Sequence, residues 1–223
     1  MRSTKYGVIV TNATDRLNFM NMSDSSYYDY HPTVQLARPL ALGGVPGAPY
    51  REVGHHLATL TGLTLIDLDR WIEHQVGQSL WDFVREDGEE ELRRKEFEYL
   101  NRALAAQPRG LIIVSEGTLA REENRRQLRE SAALIYLSLS PSTMYWEVRQ
   151  QISERGPRSH PHVPQPLTHF DQLRFLIDAL APAQASADLV CPMDNSSVQE
   201  VLGVLFEKLP DLNVLQHGDS ADT

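Results

Sequence analysis

The chain has 223 residues, 41% of them hydrophobic and 23% charged, which suits one globular domain of ordinary size plus an extra segment. Its formal net charge of −9 repels phosphate backbones and argues against nucleic-acid binding. No apolar run approaches the roughly 18 residues that span a bilayer, the Gly7 to Val10 run is too short for a signal-peptide core, and a lone Cys191 excludes an internal disulfide, so a cytoplasmic setting without a membrane partner is expected.

Residues 1–33 read as an irregular N-terminal extension, because the polar and aromatic stretch from Met20 to Tyr30 has neither a 2- nor a 3.6-residue period. Residues 34–210 read as the domain, and residues 211–223 as a polar C-terminal tail. Val34 to Leu42 predicts a strand interrupted at Arg38-Pro39, followed by a glycine-rich turn over Gly43 to Gly47. Val53, Leu57 and Leu60 recur at helical spacing until Gly62. Leu63 to Ile66 predicts a short strand ending at Asp67, then a helix with Trp71 and Ile72 that stops at Gly77. Ser79 and Asp82 have the spacing of a capping box, Gly88 breaks that helix, and a long charged helix covers Glu89 to Ala106.

Leu111 to Val114 and Ala133 to Leu139 are continuously apolar, as in strands covered on both faces. Helices are expected over Glu122 to Glu130, from Pro141 through Val148, over Phe170 to Leu180 and over Ser196 to Leu209, with a short strand at Leu189 to Cys191. Gly156 to Pro166 holds four prolines and reads as a loop. Strands alternating with helices imply an α/β fold, a parallel sheet flanked by helices on both faces.

The first strand-to-helix turn of such a sheet attracts anions through backbone N–H groups and a helix N-terminus. A working phosphate-binding loop reads GxxxxGK[ST]: the lysine reaches the outer phosphates and the hydroxyl binds Mg²⁺. Here the turn runs Gly44-Val45-Pro46-Gly47-Ala48-Pro49-Tyr50-Arg51. Pro49 stands at the last glycine and removes an N–H donor, Tyr50 stands at the lysine, and Arg51 at the Ser/Thr.

That turn, with Gly54, then Leu65-Ile66-Asp67-Leu68-Asp69, then Gly88-Glu89 with Leu92-Arg93-Arg94-Lys95-Glu96, resembles the shikimate kinase family. The intervals agree: 69 − 50 = 19 steps from Tyr50 to Asp69, and 93 − 69 = 24 from Asp69 to Arg93. The resemblance implies a P-loop NTPase-like parallel sheet with a degenerate nucleotide loop, comprising Gly44, Gly47, Pro49, Tyr50 and Arg51. It gives Asp67 a place near Mg²⁺ and the reacting hydroxyl, a vestigial or weak catalytic role here. Asp69 would bind substrate hydroxyls, Arg93 the substrate carboxylate, and Glu96 would orient Arg93. Of the expected G-G-G turn only Gly117 remains, in Ser115-Glu116-Gly117, and Glu116 adds a negative charge. Arg155 and Arg158 are the lid candidates, and Leu180 stands where the family carries a second carboxylate-binding arginine.

The main expectation is therefore a pseudokinase that binds no ATP productively and serves as a metabolite-binding or regulatory module in the aromatic pathway. Its ligand would be a hydroxylated carboxylic acid, or its partner another protein. The alternative is an active small-molecule kinase with ATP and Mg²⁺, in which Arg51 substitutes for the lysine. The residues themselves also allow plainer roles: Asp67 and Asp69 as helix caps, and Arg93 in ion pairs of a charged helix surface. His55 and His56 are adjacent and cannot share a metal, and no metal is expected at His160, His162 and His169. Trp71, Trp81 and Trp146 read as core or pocket wall, and Cys191 as a small buried hydrophobe.

Overall fold

The computed structural model describes residues 36–107 and 109–212. The expected N-terminal extension, and the tail from residue 213 on, lie outside them.

The elements alternate. They are β1 (Leu40–Gly44), α1 (Tyr50–Thr61), β2 (Leu65–Asp67), α2 (Leu68–Val76), α3 (Leu80–Asp87), α4 (Glu89–Ala106), β3 (Leu111–Ile113), α5 (Glu116–Ala120), α6 (Glu122–Ser131), β4 (Ala133–Ser138), α7 (Pro141–Arg155), α8 (Arg174–Ala185), β5 (Leu189–Pro192) and α9 (Val198–Lys208). Single 3-10 turns lie at Pro157–Ser159, Phe170–Leu173 and Leu209–Leu212. The five strands form one sheet in the order β2-β3-β1-β4-β5, with every pairing parallel. This is the expected α/β, P-loop NTPase-like architecture, and β1 lies at its centre, so the turn after β1 opens beside both neighbouring strands.

Local chemistry explains most boundaries. Gly62 and Gly77 close α1 and α2 in the left-handed conformation, with φ of 69° and 77°. Ser79 caps α3 by accepting from the Asp82 N–H, and Ser140 caps α7 in the same way through Thr143. Leu111, Ile112 and Ile113 on β3 and Ala133 to Leu137 on β4 are buried, as continuous apolar runs in a two-sided sheet require.

Several expectations need correction. The first strand does not run through Val34 to Leu42; it starts after Pro39, which has no N–H to give a ladder, and continues through Gly43 and Gly44. Both glycines pair with β4 as strand residues, Gly43 with Tyr136 and Gly44 with Leu137, and neighbouring backbone leaves no room for a side chain: a Cβ at Gly43 would lie 2.6 Å from the Val114 carbonyl oxygen. Gly44 thus ends β1, and the turn proper begins at Val45. The helix α5 is absent from the sequence expectation, since five residues are too short to show a period. Trp146 is 63% exposed rather than core or pocket wall. Trp71 packs edge-on against Tyr99, with ring centroids 5.3 Å apart. Packing continues past residue 210: Leu212 is buried and its carbonyl accepts from Arg38 Nη2 at 3.2 Å.

Candidate functional site

The C-terminal ends of the parallel strands β1, β2 and β3 lie on one side of the sheet, the usual ligand position in an open α/β sheet. The turn after β1 supplies Pro49, Tyr50 and Arg51; the end of β2 supplies Asp67 and Asp69; β3 leads to Ser115, Glu116 and Gly117; α4 supplies Arg93 and Glu96. Residues far apart in sequence are brought together here because parallel strands all point their ends the same way.

The turn passes through Gly47 at φ +84°, a left-handed conformation that glycine adopts without strain. Pro49 precedes α1 and gives it no side-chain cap. Tyr50 is 4% exposed and donates its hydroxyl to Glu116 Oε2 at 2.8 Å. Burial, and after it the Glu116 carboxylate, push the Tyr50 phenol well above its ordinary value, so it remains a protonated donor. Arg51 reaches across the pocket: Nε donates to Asp67 Oδ2 at 3.3 Å and Nη2 to Asp69 Oδ2. Its charge sits in the first turn of α1, where the helix dipole disfavours cations, so the two carboxylates must hold it there.

Asp67 and Asp69 have side chains only 6% and 7% exposed. Asp67 also caps α2, accepting from the Arg70 N–H at 3.3 Å, so the plain role expected for it is present alongside the ion pair. Asp69 accepts from Ser115 Oγ at 2.9 Å. Burial raises the Asp69 carboxyl above its usual range, and Arg51 opposes that shift.

On the opposite wall Arg93 Nη1 donates to both oxygens of Glu96, at 2.9 and 2.8 Å. Glu96 is fully buried, which raises its carboxyl above the usual value against the pull of Arg93. The second edge of Arg93 is held differently. Nη2 donates to Glu89 Oε1 at 2.8 Å, and the Glu89 side chain is 64% exposed. Nη2 also lies 3.3 Å from His162 Nδ1. Gly117 lies beneath this pair: a Cβ there would collide with Arg93 Nη1 and approach His162 Cε1 to 2.5 Å.

The lid candidates Arg155 and Arg158 are exposed and are not brought to the pocket; Arg158 instead pairs with Asp82 at 3.3 Å. The residues that the loop carries inward are histidines. His162 has a side chain 3% exposed, 3.8 Å from Glu96 Oε1, and its Nε2 has no hydrogen-bond partner. His160 is 6% exposed and lies 2.9 Å from Gln151 Oε1, while Gln151 Nε2 donates to the Gly47 carbonyl at 3.0 Å. Burial would raise the Glu116 carboxyl, but His162, His160 and Arg51 together hold it below its usual value. The sequence showed only a proline- and histidine-rich loop; its inward turn had no signal in periodicity. Leu180, at the expected second arginine, is buried in the core. Among the described residues no group of three or more His, Cys, Asp or Glu is arranged to hold a metal ion.

A sequence profile described as Shikimate kinase matches residues 46–209. The chain belongs to the shikimate kinase family. It is 35% identical over 174 residues to a shikimate kinase of Symbiobacterium thermophilum, covering 77% of this chain and 96% of that protein. A shikimate kinase of Thermus thermophilus is 31% identical over 179 residues, with 79% and 94% covered. Among solved structures, the shikimate kinase of Acinetobacter baumannii in complex with shikimate has a TM-score of 0.68 at 20% identity, covering 78% of this chain and 93% of that one. The Bacteroides thetaiotaomicron shikimate kinase has a TM-score of 0.64 at 22% identity, with 78% and 98% covered. These two share the fold.

The residues present do not fit Mg²⁺-ATP in the manner of a GxxxxGK[ST] loop. Where the resemblance expects the lysine stands a buried phenol tied to a carboxylate. Where it expects the hydroxyl stands a guanidinium, paired with the two carboxylates near which the metal is expected.

Proposed function

We propose that this chain is a shikimate-kinase-like pseudokinase, a domain that does not transfer phosphoryl groups from Mg²⁺-ATP and works as a metabolite-binding or regulatory module. The observation that carries this reading is the Tyr50 hydroxyl on Glu116 in the buried loop, with Arg51 beside it on Asp67 and Asp69. Phosphoryl transfer depends almost entirely on positioned positive charge, and here the loop's only cation is neutralised by the chain's own carboxylates.

The retained wall supports a hydroxylated carboxylic acid as ligand. Arg93 is fixed through Nη1 by buried Glu96, while Nη2 is held by exposed Glu89 and by a loop histidine. A ligand carboxylate can replace those two partners without disturbing the buried pair, and Asp69 stands ready to accept a ligand hydroxyl. The chemistry matches that of shikimate, the ligand named for the Acinetobacter structure. No feature of the described residues singles out a protein partner.

The comparisons favour the second reading, an active shikimate-type kinase using ATP and Mg²⁺: the relatives above are named shikimate kinase, and the match runs over almost their whole length. In that reading Arg51 supplies the lysine's charge and Asp67 receives the substrate hydroxyl. A coupled assay of ADP release with shikimate and Mg²⁺-ATP separates the two. The pseudokinase reading expects no turnover and no calorimetric heat of Mg²⁺-ATP binding, with a thermal shift on shikimate. Turnover of about 1–100 per second, the range of working kinases, overturns it.

A further inference from the structure

Asp67 and Asp69 pose an electrostatic problem. Their side chains are nearly buried, they approach the same guanidinium, and buried carboxylates without a cation are costly. Arg70 contributes little, since its side chain is 72% exposed and its Nε lies 3.7 Å from Asp67 Oδ2. Ser115 gives Asp69 a neutral hydrogen bond at 2.9 Å. The charge that matters is Arg51, whose planar fork spans the two carboxylates, one nitrogen to each. Its guanidinium carbon lies 5.3 Å from the centre of the Tyr50 ring, so the phenol tied to Glu116 also lines its path.

We propose that Arg51 is a tethered cation: it occupies, from within the chain, the position between Asp67 and Asp69 that a divalent metal ion would otherwise fill, and so neutralises both carboxylates without a metal. The inference deepens the pseudokinase reading and rests on it. It turns the misfit at the loop into a substitution of one cation for another. The guanidinium contacts one oxygen each of Asp67 and Asp69, and Ser115 Oγ donates to the other Asp69 oxygen; two carboxylates with a hydroxyl beside them suit Mg²⁺ or Mn²⁺ completed by water. A covalently attached cation has a fixed, high local concentration and no dissociation step, so the pairing of Asp67 and Asp69 is independent of metal supply.

The test uses the full chain without nucleotide. Wild-type melting temperature is expected to be unmoved by MgCl₂ or MnCl₂ at constant ionic strength. Arg51→Ser is expected to melt several degrees lower, to recover with MnCl₂ but not with matched NaCl, and to bind one Mn²⁺ per chain by paramagnetic resonance. Asp67→Asn and Asp69→Asn added to Arg51→Ser must abolish that response. Should Arg51→Ser fail to fold, it is refolded with and without Mn²⁺, and Arg51→Lys, which keeps a cation, is expected to fold and stay indifferent to metal. Mn²⁺ binding to Arg51→Ser no stronger than to wild type overturns the proposal, as does a Mn²⁺ shift in wild type itself. The pseudokinase reading fails instead on phosphoryl transfer by the wild-type chain, so the two failures are distinguishable.

Discussion

Arg51 and Arg93 belong to one cluster of charged side chains beside the strand ends, and their partners differ. Arg51, its own side chain 39% exposed, pairs with two nearly buried carboxylates. Arg93 has two buried partners, Glu96 and His162, and one exposed partner, Glu89. A charge whose partners are all buried is structural, because releasing it strands charge in a low dielectric. A charge with a solvated partner can trade it for a ligand at little cost. The two guanidiniums therefore differ in their partners: both of Arg51's are nearly buried, while one of Arg93's lies in solvent and can exchange.

The sharpest way to break this contrast is Glu96→Ala. It leaves Arg93 buried without its fixed partner and is expected to cost about 3–5 kcal/mol in urea unfolding; a loss no larger than that of a surface pair would mean the substrate wall is not prebuilt. Tyr50→Phe keeps the ring and removes the donor from Glu116, with an expected cost of about 1–3 kcal/mol by the same measurement. A neutral result there would detach the tyrosine from the closed loop.

Glu116 gives a pH signature. Its folded carboxyl lies below its usual value, so on acidification the unfolded chain takes the proton first. The stability from Glu116 is complete above the unfolded value and is lost as pH falls through the folded one. Asp69 and Glu96, raised by burial, act in the opposite sense, gaining stability as pH falls through their folded values. Urea midpoints followed from neutral to acid pH are therefore expected to fall less steeply in Glu116→Gln than in wild type; an unchanged acid limb would remove Glu116 from the network. The smallest effect is expected at Arg158→Ala, under about 1 kcal/mol, because its pair with Asp82 is largely solvated. A large loss there would mean that the Arg158–Asp82 pair is held far more firmly than its exposure allows.

Much of the fold was legible in the sequence because its signals are local. The charged helix from Glu89 to Ala106 follows from Gly88 and an unbroken run of helix formers, and α1 follows from Val53, Leu57 and the stop at Gly62. Tyr50, Arg51, Asp67, Asp69, Arg93 and Glu96 were likewise open to reading as candidates, and the structure gathers them beside the strand ends. The first strand was misplaced because strand identity at Gly43 and Gly44 depends on how closely β3 and β4 approach, which no local pattern encodes.

The residue types that could sit in the pocket were thus determined by the sequence alone, since parallel strands deliver their ends to one face. Which of them pair was decided only by tertiary structure. Nothing local says that Tyr50 meets Glu116, that Arg51 closes on both aspartates, or that His160 and His162 rather than Arg155 and Arg158 turn inward. Those outcomes depend on burial, where an ion or a donor must find a partner within hydrogen-bonding reach, and only the folded chain fixes who is near enough to serve.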